Sequence, residues 1–156
     1  MSHVICTAAL VILIFTMQFY YLHVVDNIWV EMVERELKEI ADYVSDTLAN
    51  LYFLANSTKT EVTLIKTLSL PSDVRDSTYM VEIENATGFA QSIHVYLKGR
   101  SGVDATSWIL PGLKIKGDEY TQPIESGGKT VVAGCSRTVL PEKKPDIYVW
   151  IGYKQA

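Results

Sequence analysis

Two hydrophobic patterns follow one another along the chain and change near residue 58. From Val4 to Val25 there are 22 residues without Asp, Glu, Lys or Arg, interrupted only by Thr7, Thr16, Gln18 and His23. At a rise of about 1.5 Å per residue this run extends about 33 Å, enough to cross a hydrocarbon core. It predicts a transmembrane helix, with Val4, Leu10, Leu13, Phe15, Phe19 and Val25 in the span. Met1-Ser2-His3 supplies no Lys or Arg and Phe19 to His23 offers nothing small, so the segment reads as a retained anchor rather than a cleaved signal. Phe19, Tyr20, Tyr21 and Trp29 fall where an interfacial aromatic belt would lie.

The first proline is Pro71 and the first glycine Gly88, so no breaker stops the helix before Leu54. After Asp26 a heptad seam begins, with Val30, Leu37, Val44 and Leu51 in one column and Val33, Ile40, Thr47 and Leu54 in the other. This spacing predicts an amphipathic stalk whose acidic residues Glu34, Glu36, Glu39, Asp42 and Asp46 lie largely outside the stripe. The stripe needs a cover, supplied by the chain's own C-terminal domain or by other helices. A helix of about 50 residues would reach about 75 Å, further than a domain of about 100 residues is wide, which favours helix–helix assembly. On that expectation Ile40→Asp would abolish assembly and leave the following domain folded.

Beyond Asn56-Ser57-Thr58-Lys59-Thr60 the period shortens to two. Strands are predicted at 61–70, 78–84, 91–98, 108–115, 119–124, 130–136 and 147–153. Turn-forming clusters such as Pro71-Ser72-Asp73, Gly99-Arg100-Ser101-Gly102 and Ser126-Gly127-Gly128 separate them. The organisation is therefore a long N-terminal α-helix over 1–55, a linker over 56–60, and an all-β antiparallel sandwich of immunoglobulin-like size over 61–156, without the Cys-Trp-Cys arrangement of antibody domains.

Composition changes this picture mainly by exclusion. Across 156 residues, 14 Lys and Arg face 18 Asp and Glu, a net charge of −4 that recommends no nucleic-acid partner. Residues 1–58 hold two basic side chains against seven acidic ones. Two cysteines and three histidines are too few for a Cys/His metal centre, and no cofactor is expected. Cys135 follows Val131, Val132 and Ala133 and reads as a small buried residue, while Cys6 lies in the span. Dispersed loop acids such as Asp73, Asp76, Asp104, Asp118 and Glu119 do not make a calcium loop. Gly127-Gly128-Lys129-Thr130 reads as a hairpin turn, not a phosphate loop, and His94 as a sheet-surface histidine. With no nucleophile elbow or metal-binding helix motif, no catalytic residue is expected. Trp108, Trp150 and Tyr148 alternate with apolar neighbours and read as core, the other reading being a sugar-stacking face.

Asn56-Ser57-Thr58 and Asn85-Ala86-Thr87 fit the N-glycosylation pattern and fall where exposure is expected, so Asn56 and Asn85 place residues 26 onward outside the cell.

A hydrophobic helix continuing as an amphipathic stalk into a small sandwich resembles the archaeal type IV pilin-like proteins: pilins, archaellins and archaellum accessory proteins. The run from Leu64 through Pro71 to Ile83, and Val132-Ala-Gly-Cys135, are similar to strand-turn-strand passages in secreted archaeal proteins of this kind. The resemblance implies helices bundled in a filament core, with glycosylated sandwiches outside. It also implies a homo-oligomer, or assembly with other pilus or archaellum subunits, through Val30, Val33, Leu37, Ile40, Val44, Leu51 and Leu54. The other organisation consistent with the residues is a membrane-anchored module that does not polymerise and contacts a surface layer or glycan through loops near Trp108 or 141–146.

Overall fold

The computed structural model describes residues 2–86, 88–117, 122–139 and 146–154. Among the described residues there is one helix, α1 (Ser2–Ser57), followed by eight strands: β1 (Val62–Thr67), β2 (Tyr79–Ala86), β3 (Phe89–Leu97), β4 (Asp104–Trp108), β5 (Lys114–Ile115), β6 (Ile124–Glu125), β7 (Val131–Thr138) and β8 (Asp146–Tyr153). The chain divides into two compact units, Met1–Val33 and Glu34–Ala156.

In the first unit the segment over 4–25 is apolar and its large side chains are exposed. Val4, Leu10, Leu13, Phe15, Phe19 and Val25 expose 45–74% of their surface. Its length and composition suit a membrane crossing, which makes it a candidate membrane anchor. The Thr16 hydroxyl donates to the Leu13 carbonyl at 2.8 Å, so this polar group is satisfied within the helix.

In the second unit the helix is covered by its own chain. Leu37, Ile40, Ala41, Val44, Thr47, Leu48, Leu51 and Ala55 are buried, a stripe broader than two heptad columns. The expected seam is thereby corrected. Leu37, Ile40, Val44 and Leu51 lie in the unit's core and are not open to another helix, while Leu54 is 58% exposed. Val33 is also buried and Val30 half-buried. Length alone misled here, because the apolar face of residues 34–57 has a sheet to lie on.

The strands form one mixed sheet in the order β1-β7-β8-β5-β3-β2-β6, with β4 also paired to β3. All pairings are antiparallel except β5–β8, where Lys114 and Ile115 run parallel to Tyr148 and Val149. Buried Tyr79, Val81, Ile83, Ile93, Val95, Leu97, Ala133, Cys135, Val149 and Ile151 form the core with the helical stripe.

Two predicted strands differ from expectation: of 119–124, residues 119–121 lie outside the described residues and only Ile124 belongs to a strand, β6, and the other is 108–115. The apolar run 109–113 is not a strand, because Pro111-Gly112 makes a turn, with Gly112 at φ 91°. The strand lies earlier, in the polar Asp104-Ala-Thr-Ser-Trp108. Its pairing with β3 leaves the even-numbered residues' backbone groups pointing away from the sheet, and the helix meets them. Lys38 Nζ donates to the Thr106 carbonyl and Ser45 Oγ to the Trp108 carbonyl, both at 2.8 Å. Between them Asp42 accepts from Ser107 Oγ at 2.6 Å and pairs with Lys38 at 2.9 Å. Burial raises the Asp42 pKa, but the Ser107 hydroxyl and Lys38 outweigh it and hold the carboxyl below its ordinary value. One helix turn after another thus covers the outward carbonyls of an edge strand that would otherwise template pairing with another chain.

Arg137 on β7 donates to the Ala55 and Asn56 carbonyls at 3.1 and 2.9 Å, satisfying orphan acceptors at the helix C-terminus.

Candidate functional site

The outer face of β2, β3 and β4 is a polar and aromatic platform. Register places Glu84, Ser92 and Trp108 in one row, Glu82, His94 and Thr106 in the next, and Met80, Tyr96 and Asp104 in the third. Alternation explains the set: the intervening residues Val81, Ile83, Ile93, Val95 and Ser107 face the core and are buried.

His94 sits at the centre. Its Nδ1 lies 3.1 Å from Glu82 Oε1 and its Nε2 3.1 Å from Asp104 Oδ2, with Glu84 Oε1 at 3.9 Å. Ionised carboxylates only accept, so both ring nitrogens donate and the geometry selects the imidazolium. Burial lowers the His94 pKa, but the bonds to Glu82 and Asp104 and the charges of Glu84 and Asp104 outweigh it and raise the value. Ser92 donates to Glu84, and the Tyr96 ring lies 5.1 Å from the imidazole.

The linkage has a definite sign. A histidine whose folded pKa is raised contributes stability that is fully present below about pH 6.5 and is lost as pH climbs through the folded value. The thermal midpoint is expected to fall between about pH 6 and about pH 8. In His94→Gln this part of the fall should vanish, and equal pH dependence in parent and variant would refute the linkage.

Trp108, at the end of the first row, is 78% exposed. This corrects its expected place in the core; Trp150, although 6% exposed, lies on the sheet's outer face over Gly134, because its neighbours Val149 and Ile151 face the core, and Tyr148 is half-buried. The three aromatic residues therefore do not form one stacking face.

A second feature lies on the outer face of β1, β7 and β8. A groove of about 440 Å³ is lined by Thr63, Ile65, Thr67, Val132, Trp150, Gly152 and Tyr153, with Lys116 and Lys154. Two glycines shape it. The Trp150 ring occupies the space over Gly134, where a side chain would stand, and the space over Gly152 is open. Lys116 Nζ lies 4.5 Å from the Trp150 ring centroid, and Ile65 is 63% exposed.

Cys135 is buried, and burial pushes its thiol up to about 11, the property of an inert core cysteine. Asn56 and Asn85 are exposed, at the helix end and in β2. Thr87 of the second tripeptide, Asp118, Glu119 and most of the loop over 141–146 lie outside the described residues. Gly127 and Gly128, at φ 125° and 81°, form the bend between β6 and β7, which corrects the expected hairpin turn, since β6 pairs with β2 and β7 with β1 and β8 rather than with each other. Among the described residues no group of three or more His, Cys, Asp or Glu is placed to hold a metal ion.

Sequence reasoning missed the His94 cluster as a unit. Glu82-x-Glu84 and the alternating Ser92-x-His94-x-Tyr96 were visible, but Asp104 joins them only through the β3–β4 register.

No protein-family model, curated protein or solved structure matches the chain.

Proposed function

We propose that this chain is a non-enzymatic structural subunit of an extracellular filament of the archaeal type IV pilus kind. In this reading the apolar helix over 4–25 anchors the chain in the membrane and packs with its copies during assembly. The sandwich stands outside the cell. The observation that carries the proposal is the contrast along α1: residues 37–51 are covered by their own sheet, whereas Val4 to Val25 have no cover of their own. An uncovered apolar helix this long requires lipid or other helices around it. The exposed Asn56 and Asn85 suit an external sandwich that carries glycans.

Because the stalk is occupied by the sheet, the assembling surface in this proposal is the segment before it. The test is electron microscopy of material sheared from native cells, with mass spectrometry of its subunits. Finding this chain in ordered filaments is the expected result. Recovery only in the membrane fraction would overturn polymerisation and leave an anchored accessory or surface-binding module.

A further inference from the structure

The outer face of β2, β3 and β4 carries an exposed indole beside more hydrogen-bonding capacity than the fold uses. Trp108 is 78% exposed, yet its backbone is fixed on both sides, by pairing with Ser92 of β3 and by the Ser45 hydroxyl on its carbonyl. The ring therefore stands on a rigid strand as a flat apolar surface in water, the kind of side chain that dominates binding when a ligand covers it. We infer that this face is a carbohydrate-binding site, where a neutral pyranose oligosaccharide stacks on Trp108 and donates its hydroxyls to Glu84, Glu82 and Asp104.

The carboxylates are held in place before a ligand arrives. His94 bonds Glu82 on one side and Asp104 on the other, each at 3.1 Å, and Ser92, 1% exposed, donates to Glu84. An ionised carboxylate has about four lone-pair sites, so these bonds leave part of its capacity open. The Glu84 and Asp104 side chains, each 47% exposed, turn that capacity to the surface. Planar acceptors at fixed positions suit the adjacent hydroxyls of a sugar ring, because little ordering remains to be done on binding.

The mixture of groups selects the ligand class. Glu82, Glu84 and Asp104 accept, while the hydroxyls of Thr106 and Tyr96 and the indole N–H of Trp108 donate from the same three rows. Burial and the Glu82 charge hold the Tyr96 phenol above its usual pKa, so it stays a donor. A sugar hydroxyl both donates and accepts and meets both kinds of group, whereas a guanidinium or ammonium only donates. The pyranose ring adds a face of axial C–H bonds that lies flat on an indole. Carboxylates on the same surface repel uronic and sialic acids, which makes the ligand neutral. Tyr96 is four residues beyond Ser92, the partner of Trp108, so the rows span about 14 Å, room for about two or three linked rings. Every group belongs to one chain, and the site goes beyond the filament reading without depending on polymerisation.

The test titrates the full-length chain, in a detergent without a sugar headgroup, with cellotriose, chitotriose and mannotriose, and with trigalacturonate and hexaarginine as contrasts. It is run at about pH 6, where His94 is charged. Calorimetry reads affinity, and a blue shift of tryptophan emission reads the covering of an exposed indole. At least one neutral trisaccharide is expected to bind with a Kd on the order of 1 mM or below, changed less than about twofold by raised salt. Trp108→Ala should weaken binding at least about tenfold, with partial recovery in Trp108→Phe. Glu84→Gln, which keeps an acceptor, should stay within about threefold of the parent. Both positions are exposed, so these variants fold like the parent.

Failure of all three neutral trisaccharides at about 10 mM would overturn the site, and so would binding that Trp108→Ala leaves unchanged. Trigalacturonate bound as tightly as the neutral sugars would overturn the part given to the carboxylates. Hexaarginine bound more tightly than any sugar, and released by salt and by Glu84→Gln, would overturn the carbohydrate in favour of a basic protein segment.

Discussion

Ile40→Asp is expected to unfold the unit over 34–156 rather than merely prevent assembly. Ile40 is 6% exposed and lies in the stripe with Leu37, Val44 and Leu48, each fully buried. An aspartate there would place an unpaired charge in an apolar contact, and the chain must then hydrate the carboxylate by separating helix from sheet or protonate it at a cost. Either route costs about 4 kcal/mol, a large share of the 5–15 kcal/mol that holds a typical domain. The consequence extends to the sheet edge, because Lys38, Asp42 and Ser45 cover β4 only while the helix stays docked. The measurement is the thermal midpoint of the detergent-solubilised full chain by circular dichroism, with limited proteolysis. Leu54→Asp, at a position 58% exposed, is the control and should change stability by less than about 0.5 kcal/mol. A folded Ile40→Asp sandwich that has lost assembly would return the stripe to an intermolecular role.

Gly134→Ala is expected to cost about 3 kcal/mol, although alanine is ordinarily the better strand residue. A Cβ on Gly134 would stand 2.2 Å from Cε2 and Cζ2 of Trp150, well inside van der Waals contact. The indole cannot yield freely, since it is 6% exposed and carries the Lys116 ammonium near its ring. The gain from replacing glycine, about 0.5–1 kcal/mol, is smaller than the cost of forcing a tightly held ring from its rotamer. A midpoint equal to the parent's would show that the ring does not need the space over Gly134.

Much of the architecture was legible because it depends on local periodicity. The uncharged run from Val4 to Val25, the absence of proline and glycine before residue 71, and the change to alternation after Thr60 are properties of the chain itself. They predict a long helix and then strands, whatever those elements pack against. Five of the predicted strands overlap β1, β2, β3, β7 and β8, where Val, Ile, Thr and Tyr alternate with polar residues.

What remained illegible depends on neighbours distant in sequence. The pattern of α1 showed an apolar stripe but not its cover, since a heptad seam reads the same against a sheet as against a helix. Only packing revealed that Ala41, Leu48 and Ala55 belong to the stripe and Leu54 does not. Asp104 to Ser107 fell outside the predicted strands, and Asp104 to Trp108 is a strand because β3 pairs on one side while Lys38 and Ser45 meet its carbonyls on the other. Trp108 and Trp150 both alternate with apolar residues, yet the sheet turns one to solvent and lays the other over Gly134. The sequence by itself determined the type and order of the elements, because backbone periodicity is local. Tertiary structure decided which apolar surfaces are covered and which chemistry meets on a face, because register and burial join residues that the chain keeps apart.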